Sequence, residues 1–359
     1  MTPPYDRLNR FGWAPFFAGH FATLASGELV PARVAVQQKK RYLLYAEAGE
    51  LRAEIAGRIH YHARAAQDYP VIGDWVAVRP RPDEGTATIV TVLPRRSHFS
   101  RKIPGTREEE QIVAANIDTV FFVNGLDTEL NLRRIERYLV LAAESGAMPV
   151  IVLNKADLAE DAEGLQTRVG TLLPGVPVLL TSATHGAGLD TLLSFLPAGT
   201  TGALLGPSGT GKSTLVNAML GRKHFQTDDV RASDSKGRHT TSHRELVVLP
   251  AGGLLIDTPG IREMQLWGGG EGMLEAFEDI EELLTGCKFT NCRHEEEPGC
   301  AVRKAIDSGT LDPGRLENYH KMLREIAHQE RRIDKAASQR EKERQKRLTA
   351  QQKRGYRKP

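Results

Sequence analysis

No apolar run in the sequence reaches the length of about 18 residues that a bilayer-spanning helix needs, so a transmembrane segment is not expected. The first residues, Met1 to Trp13, lack the basic-then-apolar layout of a secretory leader, which makes the cytoplasm the expected compartment. Cysteine is scarce: there are three, Cys287, Cys292 and Cys300. An odd number without a secretion signal argues against a disulfide framework. No internal repeat is visible. Net charge is also small, only +3.

What is present is an ordinary globular composition, with 40% hydrophobic and 26% charged residues. A chain of 359 residues is too long for one typical domain and suits two or three. The charge is unevenly spread. Residues 321–359 hold fourteen Lys/Arg against five Asp/Glu, a net of +9 that leaves the remainder at −6. A basic tail on an acidic body suits a polyanionic partner, and equally a solvated helical face. Charge alone leaves both open.

Residues 1–28 show no clear periodicity and read as an extension. Over 29–97 the pattern is short, alternating and β-branched. Ala32–Val36, Arg41–Tyr45, Leu51–Ala56, Asp74–Val78 and Ala87–Val92 read as five strands punctuated by Gly, Pro and Asp. Five short strands in this span fit a small barrel of the OB type. Over 98–266 the rhythm changes. Apolar runs at Thr119–Val123, Val150–Leu153, Val178–Leu180, Gly202–Leu205 and Leu254–Ile256 alternate with helical stretches, one of them predicted over Leu132–Ser145. That alternation predicts a parallel sheet covered by helices. Residues 267–320 are helical and cysteine-rich, and a helical pattern runs from Leu316 to about Leu348.

Gly206-Pro207-Ser208-Gly209-Thr210-Gly211-Lys212-Ser213-Thr214 fits G-x-x-x-x-G-K-[ST]. The apolar strand before it and the helical Leu215–Leu220 after it supply the context that separates a phosphate loop from a chance Gly-rich turn. Its glycines let backbone N–H groups turn inward around phosphates. Lys212 brings charge to the β- and γ-phosphates and Ser213 can ligate Mg²⁺. Base choice is carried by Asn154-Lys155-Ala156-Asp157, directly after a strand. The Asp157 carboxylate can accept from both guanine N1–H and the N2 amino group, a donor pair that adenine lacks. The Lys155 stem can lie along the base. After the next strand, Thr181-Ser182-Ala183 offers a backbone N–H at Ala183 for guanine O6.

Asp257-Thr258-Pro259-Gly260 follows another strand. Asp257 is expected to hold Mg²⁺ through water, and the Gly260 N–H to sense a γ-phosphate. In the polar stretch Lys236–Ser242, Thr240 or Thr241 is the natural second Mg²⁺ ligand. The motifs therefore occur with the guanine reader before the phosphate loop, a circularly permuted order that the same sheet can accommodate. Ile261 stands where many regulatory GTPases carry a water-orienting Gln. His239 is the candidate replacement, and a solvated loop histidine is the competing reading. Lastly, Cys287-x4-Cys292-x-His294-x5-Cys300 supplies three thiolates and an imidazole, a closed tetrahedral set for one structural zinc.

The expected architecture is thus multidomain: an N-terminal OB-fold β-barrel, a circularly permuted α/β P-loop GTPase domain, a C-terminal α-helical zinc-binding domain and a basic tail. Gly73-Asp74-Trp75-Val76, Asn154–Asp157, Gly206–Thr214, Gly237-Arg238-His239-Thr240-Thr241, Asp257–Gly260 and the cysteine–histidine set together resemble one family, the bacterial GTPases dependent on the small ribosomal subunit (RsgA). The resemblance implies GTP hydrolysis stimulated by that subunit and a role in its late maturation. Its implied partners are the subunit, its rRNA and GTP or GDP, with no membrane, and a monomer is expected. A GTP-dependent RNA-binding switch outside ribosome assembly, and a nucleic-acid scaffold whose nucleotide site only tunes affinity, are the competing functions.

Overall fold

The computed structural model describes residues 5–24, 27–38, 41–62, 66–102, 110–223, 244–257, 271–295, 297–328 and 330–331. It divides into two compact units, one of residues up to Arg101 together with Gln111–Gln265, the other of Lys102–Glu110 together with the chain from Leu266 onward.

The first unit starts with a segment that has no periodic signature in the sequence yet forms two short helices, α1 (Asp6–Asn9) and α2 (Pro15–Ala22). Its packing is aromatic rather than periodic. Leu8 and Phe17 are fully buried, and Trp13 meets Trp75 edge-on at 4.8 Å. Five strands follow: β1 (Val30–Gln38), β2 (Arg41–Ala46), β3 (Gly49–Ile55), β4 (Trp75–Arg81) and β5 (Thr86–Val92). A short helix, α3 (Gly57–His62), follows β3. β1 pairs with both β2 and β4, β2 with β3, β3 with β5 in parallel, and β5 with β4. The circuit closes, so the barrel has no open edge of its own. Alternate residues such as Val34, Leu44, Val76, Val78 and Ile89 point inward to form its core.

A two-stranded sheet of β6 (His98–Lys102) and β7 (Glu110–Ala115) precedes the larger sheet. That sheet is built from β8 (Thr119–Gly125), β9 (Met148–Asn154), β10 (Val178–Thr181), β11 (Thr201–Leu205), β12 (Arg244–Val248) and β13 (Leu254–Asp257). Its order is β10-β9-β8-β11-β13-β12, parallel except for β12. All seven residues of β8 are buried, as a central parallel strand covered on both faces requires. Phe121, Val123, Val150, Val152, Leu215 and Leu255 share one core, and each such side chain contributes about 1.5–3 kcal/mol on burial.

The covering helices are α4 (Leu132–Ser145), α5 (Ala162–Leu172), α6 (Leu189–Ser194) and α7 (Lys212–Leu220). α4 spans the predicted residues because Asn131 caps its start, accepting from the Arg134 N–H, and Gly146 ends it at φ 76°. β12, which the sequence pattern does not announce, pairs with β13 on one side and with β1 at Val36–Glu245 on the other. The barrel and the larger sheet are thereby continuous.

One guanidinium secures this junction. Arg33 on β1 is 1% exposed and donates to the carbonyls of Phe11, Gly73 (3.2 Å) and Asn116 (3.0 Å). It thus joins the N-terminal segment, the barrel and the entry to β8. Burial lowers its pKa to about 10, so it stays charged at neutral pH. Nearby, Asp74 accepts from Arg95 Nε and Nη2, both at 2.7 Å, and from the Val71 N–H. Burial opposes the charge on Arg95, yet the adjoining carboxylate holds its pKa above the ordinary value.

The second unit contains α8 (Glu271–Ala276), α9 (Glu278–Thr285), α10 (Ala301–Asp307) and a helix over 313–328. Its small core holds Phe277, Ile280, Val302 and Met322. Arg315 forms a bidentate pair with Asp279 at 2.7 and 2.8 Å and covers the Phe277 ring at 4.6 Å. The last helix runs across positions 320 and 321, so the start of the basic tail continues it. Of the remainder of the predicted tail helix, only Glu330 and Arg331, both helical, are described. No described helix is long and apolar enough to cross a membrane.

Candidate nucleotide site and metal centre

Three loops at the carboxyl ends of parallel strands meet around one side chain. β9 ends at Asn154, which is 1% exposed. Its Nδ2 donates to the Thr210 carbonyl of the phosphate loop at 2.8 Å. Its Oδ1 accepts from Thr181 Oγ1 at 3.1 Å and from the Ala183 N–H at 3.2 Å. Positions far apart in sequence are thereby held together at the sheet's carboxyl edge, where open α/β sheets bind ligands.

The phosphate loop leaves β11 through Gly206 and enters α7 at Lys212. At Gly206, φ is 146° and a Cβ would lie 2.2 Å from the Val123 carbonyl oxygen. At Gly211, φ is 87° and a Cβ would lie 2.3 Å from Asn154 Nδ2. Only glycine suits either place. Lys212 Nζ is held inside the loop by the Gly206 carbonyl at 2.8 Å and by the Pro207 carbonyl. A loop of this shape followed by a helix N-terminus is an anion cradle.

The loop that leaves β9 turns sharply after Asn154. Lys155 adopts φ 62°, and Ala156–Leu158 form a 3-10 turn that carries Asp157. A hydrogen bond from the Ser182 hydroxyl, with smaller help from His185 and Lys155, holds the Asp157 carboxyl below its ordinary pKa. It is therefore ionised at neutral pH and can only accept, as recognition of two guanine N–H groups requires. The Ala183 N–H already serves Asn154, so a contact from it to a base oxygen would be shared between two acceptors.

Sequence reasoning missed Asp127. It lies in the loop after β8 and takes the Lys155 ammonium at 2.6 Å. No motif marks it, and only the fold shows the pairing. A cavity of about 140 Å³ between this loop and the phosphate loop is lined by Asn124, Asp127, Asn131, Pro207 and Thr210 among others. A larger groove of about 840 Å³ lies on the barrel, lined in part by Arg41, Tyr42, Arg52 and Arg81. Size alone therefore does not locate the nucleotide site; the converging loops do. Of the remaining predicted residues, Asp257 ends β13 with its backbone opposite Glu245. His239, Thr240, Thr241 and Gly260 lie outside the described residues.

In the second unit Cys287, Cys292, His294 and Cys300 converge, with one ligand atom from each lying within 4.8 Å of all the others. His294 Nδ1 is 3.7 Å from Cys287 Sγ and 3.5 Å from Cys300 Sγ, and those two sulfurs are 4.0 Å apart. Zinc bonds of about 2.3 Å to sulfur and about 2.0 Å to nitrogen imply tetrahedral edges near these lengths. Cys300 also caps α10, accepting from the Arg303 N–H. The set can hold one metal ion.

The comparisons agree with this geometry. A protein of Opitutus terrae named "Small ribosomal subunit biogenesis GTPase RsgA" is 47% identical, with 95% of each chain covered. The chain belongs to the RsgA GTPase family. The RsgA GTPase family model matches residues 92–267. A Streptomyces coelicolor member with the same name is 45% identical over 89% of this chain and 87% of its own. The crystal structure of YjeQ from Thermotoga maritima matches with a TM-score of 0.63 and 26% identity, covering 83% of this chain and 99% of that one. YloQ, described as a circularly permuted GTPase, matches in fold with a TM-score of 0.62 at 22% identity, over 85% of this chain and 97% of that one. An ABC transporter model also matches residues 189–353, a span that includes the phosphate loop common to many nucleoside triphosphatases. The permuted order read from the motifs thus agrees with the fold that this chain shares with YloQ.

Proposed function

We propose that this chain hydrolyses GTP in the biogenesis of the small ribosomal subunit, as its relatives' names state for them. The observation that carries the nucleotide half of this reading is the Asn154 clamp, which joins the phosphate loop, the base reader and the Ser182–Ala183 turn in one hydrogen-bonded cluster. In this reading the backbone of Gly206–Thr214 and the Lys212 ammonium bind the phosphates, Asp157 reads guanine, and the Lys155 stem covers the base. Ser213 and Asp257, with Thr240 or Thr241, would hold Mg²⁺, which would supply neutralisation of the charge on the phosphates. Gly260 senses the γ-phosphate.

His239 orients the attacking water in place of the glutamine that Ile261 supplants. An aliphatic side chain cannot do so, which makes intrinsic turnover slow and leaves completion of the site to the subunit. The cysteine–histidine set holds a structural zinc that closes the loop over residues 287–300. The basic tail and the arginine-lined barrel groove contact rRNA. The protein works as a monomer in the cytoplasm.

The decisive experiment measures GTP turnover with and without purified small subunits over a range of salt. Turnover is expected to rise strongly with subunits, and the stimulation to fall with salt as phosphate contacts release counterions. Lys212→Ala is expected to abolish turnover in both conditions. A subunit-independent rate as high as the stimulated one overturns the ribosomal part of the proposal.

A further inference from the structure

We infer that Glu297 is a positioning residue for the metal centre, holding His294 in the conformation from which it reaches the ion; this rests on the proposed zinc at Cys287, Cys292, His294 and Cys300. The backbone of His294 is the unusual part of this loop. Its φ is 64°, a left-handed value shared, among the described non-glycine residues, only by Asn116 and Lys155. A residue with a Cβ enters that region at a cost, so neighbouring groups must hold it there. The Glu297 side chain does so from outside the ligand set. Its Oε1 accepts from the Arg293 N–H at 2.7 Å and its Oε2 from the Glu295 N–H at 2.9 Å. These two amides bracket the backbone of Arg293 and His294. N–H groups converging in such a turn form a concave nest for an anion, and here the anion is the chain's own carboxylate.

With the turn set in this way, His294 Nδ1 stands 3.5 Å from Cys300 Sγ and 3.7 Å from Cys287 Sγ. The backbone of Glu297 serves the next ligand as well, its carbonyl accepting from the Cys300 N–H at 3.3 Å. The His294 ring also lies beside that of His320, 22° from parallel with centroids 6.2 Å apart. That contact can steady the ring, but it does not set the backbone. Two hydrogen bonds do not replace the metal. They are made in the closed loop and lost when it opens, so the metal's affinity includes them. Groups that orient metal ligands from outside the coordination shell typically account for about 10- to 100-fold in affinity.

The test measures how Zn²⁺ partitions between the full chain and a chelating indicator, and records the absorption bands of the Co²⁺-loaded chain, which report the ligand set. Glu297→Ala is expected to weaken Zn²⁺ binding about 10- to 100-fold. Its Co²⁺ bands are expected to move toward those of His294→Ala, as water takes the place of the imidazole. In the His294→Ala background the same change is expected to cost less than about twofold, because no imidazole is left to aim. The milder Glu297→Gln keeps one acceptor oxygen and is expected to fall between wild type and Glu297→Ala. An equal loss with and without His294, or a weakened site whose Co²⁺ bands remain those of wild type, overturns the inference. If the wild-type chain takes up neither ion, the zinc reading itself fails and this role with it. If wild type binds one ion and Glu297→Ala binds it as tightly, only the role of Glu297 is lost.

Discussion

The phosphate loop and the cysteine loop are both short segments that must hold several groups within a few ångströms, and they are built differently. Residues 206–214 leave a strand in the middle of a six-stranded sheet and enter a helix whose Leu215, Val216 and Met219 are buried. Packing fixes both ends, and Asn154 fixes the middle. Residues 287–300 lie between helices of eight and seven residues, and within this stretch only Cys300 is buried among the described residues. Little apolar surface holds them, so convergence of four ligand atoms is left to coordination. The first design is expected to tolerate loss of its ligand. The second is expected not to.

Metal removal is the strongest way to break this comparison. Structural zinc contributes on the order of 10–16 kcal/mol to small sites, far more than the packing available here. Chelation, or Cys292→Ser, is expected to expose the backbone amides of residues 287–307 to hydrogen exchange. GDP affinity in the first unit is expected to stay within about twofold. Amides that remain protected after the metal has gone would show that packing holds this loop too. Metal analysis of the purified chain, expected to give one zinc per molecule, supplies the baseline.

The clamp gives the next largest effect. Asn154→Ala removes three hydrogen bonds and leaves the Thr210 carbonyl, the Thr181 hydroxyl and the Ala183 N–H without that partner. At about 0.5–1.5 kcal/mol each, the sum is about 1.5–4.5 kcal/mol. Both GDP affinity and the thermal midpoint are expected to fall. A change confined to stability, with nucleotide affinity intact, would mean that the loops hold their relation without the clamp.

The two regions also differ from the rest of the molecule in how far the sequence reveals them. The phosphate loop, the Asn154–Asp157 turn and the cysteine set are contiguous or nearly so, and each needs fixed residue types at fixed spacing. The barrel strands are legible because one face is buried, as in the alternating pattern of β2. α1 and α2 are not, because they are short and their segment is held by aromatic contacts, Phe17 against Trp75 and Phe11 against Tyr45, rather than along one helical stripe. β12 is hidden for another reason. Its register with β1 depends on residues some two hundred positions away. Arg33 shows the same limit: nothing in Ala32-Arg33-Val34 signals a buried cation satisfied by three carbonyls.

Asp127 belongs with these tertiary features, and it offers the finest test of how the nucleotide site is preorganised. Its carboxylate meets the Lys155 ammonium at 2.6 Å across 28 positions of sequence. The pair is partly exposed, with side chains 27% and 34% accessible, so solvent screens it. Partly exposed pairs contribute about 0.2–1 kcal/mol. Yet Lys155 already sits at φ 62°, where its backbone is constrained, which limits the routes its stem has over the base in the proposed site. Fixing the ammonium end fixes the stem as well. Asp127→Asn is therefore expected to weaken GDP binding by about two- to fivefold, with the deficit shrinking as salt rises, since the wild-type pair is the part that salt weakens. The thermal midpoint is expected to move little. A deficit that persists unchanged in high salt would mean that Asp127 acts by hydrogen bonding or shape rather than by charge. No deficit at all would leave Lys155 positioned by its backbone alone.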